Sequence, residues 1–398
     1  MKHIPCTALA AALIAAGVFA APASAQSMPD FKFSGFGTLS AVHSSDKTSD
    51  FVGTLFQPNG AGATRSTSLA PDTKLGGQVN ATFNEKFSAV LQLVAQHQYD
   101  NSFKPMVEWA NVKFQATPEV SLRAGRIAAP SYLLSESRFV GYSYAWARPP
   151  VEAYGVLAIT SNDGVDATWR TSFGGANNSL QAFVGRSSVK LSGGSTVKSK
   201  PSWGINDSIE IGSLTLRAGY NAFKLDLGIN SVQPLLAAAT KLGLTSITQK
   251  YKLEGMDLSA VAVGATYDPG NWFLMGEVVD LKGAGFLSNA RAWYASAGYR
   301  FGSLTPYVVH SSTKAGVEPE TAAGPLNASI TSTLYAFNAT QTTDSLGLRW
   351  DAMSNVALKL QYDHVTTGDH SNGRLRAYPG FVQGKGLNLV TLAADFVF

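Results

Sequence analysis

The residues best suited to chemistry lie between Arg123 and Ile159, in the segment RAGRIAAPSYLLSESRFVGYSYAWARPPVEAYGVLAI. It carries the charges Arg126, Glu136, Arg138, Arg148 and Glu152 among Tyr132, Leu133, Leu134, Phe139, Tyr142, Tyr144 and Trp146. So many large apolar groups do not suit a solvated loop, because exposing them to water is unfavourable. Packed against a wall, they would hold the charges in a narrow aqueous space, where fixed charges act on every ion present. For each charge the competing reading is a salt bridge that pins the segment to that wall.

Other chemistries find little support. The chain has no H-E-x-x-H, no phosphate-cradling G-x-x-x-x-G-K and no G-x-S-x-G elbow. Gly35-Phe36-Gly37 lacks a third glycine in place and opens no helix. The one cysteine, Cys6, comes so early that thiol catalysis, Cys-bound zinc and iron–sulfur chemistry are not expected. His43, His97, His310 and His364 fall near the same ends of their strands, as scattered rim residues rather than a metal cluster. Asp369-His370 has serines near it, yet alternation brings no Ser and His together. No catalytic residue, metal or cofactor is expected.

The elements that must position the charges follow from periodicity. Reading back from the end, Phe398, Phe396, Ala394, Leu392 and Val390 alternate with Val397, Asp395, Ala393, Thr391 and Leu389. Period two means a strand with two environments. The pattern recurs over 31–43, 73–83, 87–99, 106–115, 120–127, 163–173, 179–189, 202–212, 213–225, 256–267, 271–282, 290–301, 303–314, 340–351, 355–366 and 387–398. Short turns such as Asn84-Glu85-Lys86 and Phe301-Gly302-Ser303 alternate with long connections at 44–72, 128–162, 190–201, 226–255, 315–339 and 367–386. A sandwich has no reason to keep that order, whereas a transmembrane barrel does, with tight turns on the periplasmic side and long loops outside. Phe83, Phe114, Phe173, Tyr267, Trp272, Trp350 and Phe398 cluster at the short-turn ends as one interfacial girdle. The expected fold is therefore all-β: a transmembrane antiparallel barrel of about sixteen strands, closed because an open edge in hydrocarbon leaves backbone groups unpaired. The connection at about 128–162, the third on the long-loop side when the short link 100–105 counts as the second, would fold inward as a constriction loop. One extracellular loop should hold a helix over 232–241, with Pro234 near its start and Gly243 as its stop.

Composition agrees. Of 398 residues, 45% are apolar and 15% charged, too apolar and too sparsely charged for a disordered chain. Beyond residue 25 no run reaches the roughly 18 apolar residues that a spanning helix needs. The formal charge of +4 is too weak to argue for nucleic acid. Residues 1–25 read as a secretory signal peptide: Lys2, an apolar run over 8–21, and Ala23-Ser24-Ala25 as the cleavage site. The barrel is then 26–398, exported to the outer membrane.

Alternation assigns a second charged set to the inner wall. Lys113, Arg123, Arg170, Arg217 and Lys359 stand a few residues above the short turns, Arg349 slightly nearer the turn, and Asp395 is the main acid at that depth. The lumen there should be mildly basic and weakly anion-preferring. Arg126 has the wrong phase to face inward, unless Gly125 ends regular pairing and Arg126 opens the loop.

These residues resemble the Gram-negative general porins and their porin-like relatives in proteobacteria. The resemblance rests on the leader, the Gly-rich first strand FKFSGFGTLSAV, the Gly125-Arg126 element, the stretches SFKPMVEWANVKF, ARPPVEAYG and NDGVD, and a last strand ending in Phe398. It implies a sixteen-stranded barrel, usually a homotrimer in outer-membrane lipid, through which small hydrophilic solutes and ions diffuse passively. Arg126 matches the family's GR element, and Glu136, Arg138, Arg148 and Glu152 lie in the matching loop, which lacks the dense acidic run of many general porins. The terminal strand ending in Phe398 is the expected handle for the barrel-assembly machinery. The alternatives are a substrate-specific channel for a sugar, phosphate or organic acid, a non-conducting adhesin barrel, and, as an enzyme, an outer-membrane phospholipase.

Overall fold

The structure, a computed structural model, describes residues 28–157 and 159–398, so the expected leader lies outside the described residues. Sixteen antiparallel strands form one closed barrel. They are β1 (Asp30–Ser44), β2 (Lys74–Thr82), β3 (Phe87–Gln96), β4 (Met106–Gln115), β5 (Val120–Ala128), β6 (Ser161–Phe173), β7 (Ala176–Arg186), β8 (Ser202–Ile211), β9 (Leu214–Gly228), β10 (Met256–Tyr267), β11 (Trp272–Lys282), β12 (Ala290–Tyr299), β13 (Leu304–Ala315), β14 (Gln341–Met353), β15 (Val356–Thr367) and β16 (Gly386–Val397). Each pairs with its neighbour in sequence, and β16 pairs back on β1 from Phe36↔Val397 to Ser44↔Leu389. All sixteen expected strands are present, with shifted ends. The turn expected over 174–178 shrinks to Gly174-Gly175, both at positive φ (57° and 83°), as a two-residue hairpin requires. β14 runs past the expected turn start to Met353 through a register shift.

The two faces separate as alternation demands. On β16, Leu392 is 58% exposed while its neighbour Thr391 is fully buried. Leu346, Leu348 and Trp350 face out on β14, while Gln341 and Thr343 are buried inside. β11 has its lipid face at Trp272, Leu274 and Val278, and its inner face at Phe273, Glu277, Val279 and Leu281. Asp207 interrupts the alternation of β8 because it faces outward, where its carboxylate accepts a hydrogen bond from Asn178 at 2.7 Å. The closing seam explains the glycines of the first strand. A Cβ on Gly35 or Gly37 would stand 2.2 Å or 2.3 Å from the rings of Phe398 and Phe396, which lie over those glycines. Ring pairs Phe87–Phe114, Tyr267–Trp272 and Tyr299–Phe301 cluster at the short-turn end.

The inner wall is divided. From β2 to β8 it is mostly polar, with Gln78, Asn80, Gln92, Asn111, Arg123, Asp166, Thr168, Gln181 and Asn206. From β9 to β13 it is largely apolar, with Phe223, Leu225, Met256, Leu258, Ala260, Phe273, Val279, Tyr294, Tyr307 and Val309 buried in one cluster. Apolar side chains turned inward must be covered by something other than water. Part of the cover at the loop end comes from helices α2 (Gln233–Lys241), α3 (Thr245–Lys250) and α4 (Asn327–Phe337), which follow α1 (Val151–Tyr154) in the chain. Ala239, Ile247, Ile330 and Leu334 belong to the same cluster. The expected helix over 232–241 is α2. α3 and α4 escaped the sequence, since TSITQK and NASITSTLYAF are rich in β-branched residues and carry no side-chain cap. Glu320 joins two of these loops: it accepts hydrogen bonds from Lys250 at 2.7 Å and Tyr251 at 2.5 Å.

Candidate functional site

The connection from β5 to β6 supplies the remaining cover. Its rings Tyr132, Tyr144, Trp146 and Tyr154 are buried in the same apolar cluster as the inner faces of β9–β13. Each such ring removes roughly 150–250 Å² from water. Trp146 stands edge-on to Tyr294 at 5.4 Å and donates its indole N–H to Ser296 at 2.7 Å. Tyr132 and Tyr154 lie 4.7 Å apart, and the Tyr132 hydroxyl donates to the Leu157 carbonyl at 3.1 Å. Burial raises the pKa of the Tyr132, Tyr144 and Tyr154 hydroxyls, which keeps them neutral.

Wall side chains then take up the polar backbone of this connection. Arg217 donates to the Pro130 carbonyl at 2.9 Å, and Glu277 accepts from the Leu133 N–H at 2.9 Å. Arg349 donates to the carbonyls of Tyr142 and Tyr144 at 2.8 Å and 2.9 Å. Lys359 donates to the carbonyls of Gly141, Tyr144 and Trp146 at 2.7, 2.8 and 2.6 Å. Gly141 fits because it has no side chain: a Cβ there would meet Asp395 at 2.0 Å. The Tyr142 hydroxyl reaches the Ser354 carbonyl, in the short turn between β14 and β15, at 2.8 Å. The connection therefore spans from the loop end of β5 to the short-turn end of β14.

The expected charges divide into those tied down and those left free. Arg148 is tied down. It is buried, its Nε lies 3.0 Å and 2.9 Å from the two Asp72 oxygens, its Nη1 is 2.8 Å from Asp363, it donates also to Thr391, and it lies over the Phe51 ring. Burial opposes its charge, but Asp72 and Asp363 outweigh burial and hold its proton more tightly than on a free guanidinium. Glu152, on α1, is buried and accepts from Ser311 at 2.7 Å, Gln341 at 2.5 Å and Thr343. Lys359 and Asp395, expected on an open wall, are fully buried and paired with each other at 2.7 Å beneath the connection. Thr38 donates to the other Asp395 oxygen at 2.5 Å. Arg349 is held by Asp351 at 2.7 Å. The expectation that these three line open water fails, because backbone carbonyls of the connection cover them.

Arg126 requires a second correction. Gly125, at φ +125°, does not end pairing; β5 continues to Ala128 and Arg126 stays within it. Its guanidinium pairs with Asp163 at 2.6 Å and donates to the Val107 carbonyl at 3.1 Å.

The remaining charges face the polar arc. Arg123 binds Asp166 at 2.6 Å and reaches Glu136 at 3.5 Å, and Glu136 stays largely exposed. Lys113 stands opposite Arg123 in register, and Arg170 lies 3.5 Å from Ser121. Arg138 forms no ion pair among the described residues and lies against rings: its guanidinium is 5.7 Å from the ring centres of both Phe139 and Tyr154. Together with Lys74, Val94, Glu108, Arg126 and Tyr154 it lines a cavity of about 470 Å³. Asp72, Lys74, Glu108 and Glu277 were not anticipated. The inward phase of Lys74 was legible in its strand; Asp72 sits in a loop, and Glu108 lies at an irregular register that breaks the phase. Among the described residues no three His, Cys, Asp or Glu side chains stand close enough to hold a metal ion.

Comparison with known proteins agrees with this architecture. A sequence model described as Gram-negative porin matches residues 8–370. None of the curated proteins matches by sequence. Among solved structures, the anion-selective porin from Comamonas acidovorans superposes with a TM-score of 0.55 at 13% identity, covering 93% of this chain and 100% of that one. The outer membrane channel DcaP of Acinetobacter baumannii gives 0.58 at 12% identity, covering 94% and 100%. The trimer form of in-vitro folded OmpT from Vibrio cholerae gives 0.51 at 11% identity, covering 94% and 100%.

Proposed function

The chain belongs to the Gram-negative porin family, and on that premise we propose that it forms an outer-membrane channel through which small hydrophilic solutes and ions diffuse passively. The water path runs through one half of the barrel, between the β5–β6 connection and the polar arc β2–β8. The observation that carries this reading is the division of the inner wall. The aromatic connection covers the apolar arc, so water is left with Lys113, Arg123, Arg170 and the cavity holding Arg138. The connection is the constriction, and its free charges bear on passing ions.

Cations dominate those free charges. The paired acids Asp163 and Asp166 each neutralise one guanidinium, which leaves Arg138, Lys113, Arg170 and Lys74 against Glu136 and Glu108, a positive balance that sets a weak anion preference. The similar Comamonas protein is itself described as anion-selective. The unpaired guanidinium between two rings also favours a second reading, a channel with affinity for organic acids. We assign the channel a homotrimeric state, as in the trimer form of the Vibrio protein, and a cleaved leader over 1–25.

Planar-bilayer recording tests the proposal. Ohmic single-channel conductance is expected, with a reversal potential in a KCl gradient on the chloride side. Clear cation selectivity would reject the assigned lining. A conductance that falls on adding a carboxylic acid, and not a neutral sugar, would favour the organic-acid channel.

A further inference from the structure

The outer surface of the barrel carries a charged cluster that the channel does not use. On β11, β12 and β13 the outward positions run Leu274, Gly276, Val278, Asp280, Lys282; Tyr299, Ala297, Ala295, Trp293, Arg291; and Leu304, Pro306, Val308, His310, Ser312, Lys314. They rise from apolar residues and rings at the short-turn end to charge at the loop end. From Leu304 to Lys314 the chain climbs ten residues. At about 3.3 Å each and a tilt of about 40°, that is about 25 Å, the height of the apolar band of such a barrel. Trp293 is exposed in contact with His310, at 5.0 Å, just below. An interfacial ring at that height places Arg291, Lys314 and Lys282 at the level of the outer-leaflet headgroups.

The cations there are not balanced. Arg291 and Lys314 are directly opposite each other in register. Like charges so placed repel, with Cβ atoms about 5 Å apart. Asp280, the register partner of Arg291 on its other side, accepts from its Nε at 2.9 Å. Lys282 extends the cluster two residues beyond Asp280, and both lysines are exposed. One carboxylate thus serves three cations, on a surface whose lower part is apolar. An anion attached to acyl chains fits both parts: the phosphate bridges Arg291 and Lys314, and the chains run down Val278, Ala295 and Val308.

We propose that this outer face of β11–β13 binds a phosphorylated lipid of the outer leaflet through Lys282, Arg291 and Lys314. A free phosphate would gain only the charged half of the site. The test uses the whole refolded channel in detergent, titrated with lipid A, with phosphatidylethanolamine and with inorganic phosphate, the bound species being counted by native mass spectrometry. The wild-type channel should retain lipid A in preference to the zwitterionic lipid. K282Q/K314Q should lower its apparent affinity at least tenfold, with barrel content and conductance unchanged. Since both lysines are exposed, K314Q alone serves as a milder variant and should show a smaller loss. Equal lipid A binding by the variants, or displacement of lipid A by equimolar inorganic phosphate, would overturn the proposal. So would loss of subunit association with lipid binding intact, because it would give the cluster to a neighbouring copy.

Discussion

Lys359→Met should detach the middle of the β5–β6 connection and widen the channel. The ammonium holds three backbone carbonyls of that connection and the buried Asp395 at once. Removing it leaves a carboxylate without its counter-charge in a site with no solvent access. Breaking a buried pair from one side costs about 3–5 kcal/mol. The barrel itself does not depend on the pair, since β15 and β16 keep an unbroken ladder from Val356↔Phe396 to Thr366↔Gly386. The loss therefore falls mainly on the connection. Single-channel conductance should rise and become noisy, and protease should reach 138–146 more easily. The double variant Lys359→Met/Asp395→Leu should recover part of the loss, because it removes the orphaned charge as well. A single variant with wild-type conductance and protection would show that the connection is held by its rings alone.

Arg138→Glu should move ion selectivity toward cations more than the same change at Arg126. Arg138 lines the cavity, is flanked by rings and forms no ion pair among the described residues, so its charge acts on the lumen with only Glu108 of the same lining to offset it in part. Arg126 shares its field with Asp163 at 2.6 Å, and a glutamate there would replace one half of a pair. Screening adds a signature. The Debye length is about 10 Å at 0.1 M salt and about 3 Å at 1 M. The difference in reversal potential between Arg138→Glu and wild type should be large in dilute KCl and shrink in concentrated KCl. An equal potential at low salt would remove Arg138 from the water path.

Much of the barrel was legible in the sequence because a strand's two faces meet different solvents. Residues such as Leu392 and Thr391 differ in the outward and inward senses that alternation assigned. The tethered state of the charges was harder to read. Lys359 and Asp395 have the inward phase of any lumen residue, and only the return of Gly141, Tyr144 and Trp146 over them decides that they are dry. That return is set by contacts more than 200 residues apart in sequence, such as Lys359 with Gly141, which no local pattern encodes. For Arg148 the sequence alone leaves lining and pin both open; Asp72 and Asp363 make it a pin. The apolar inner faces of β9–β13 blur the contrast on which alternation relies: on β11, Leu274 and Val278 face outward while the equally apolar Phe273 and Val279 face inward.

The division of the lumen into a wet arc and a covered arc can be tested directly, because the sole cysteine, Cys6, precedes the expected mature start. Single cysteines at Lys113, on the polar arc, and at Val309, buried within the apolar cluster, can be exposed to a charged, membrane-impermeant thiol reagent while current is recorded. Lys113→Cys should react promptly and lower the conductance, and Val309→Cys should remain unmodified. Modification of Val309→Cys at the rate of Lys113→Cys would contradict the account, since water would then reach the wall that the aromatic connection is held to cover.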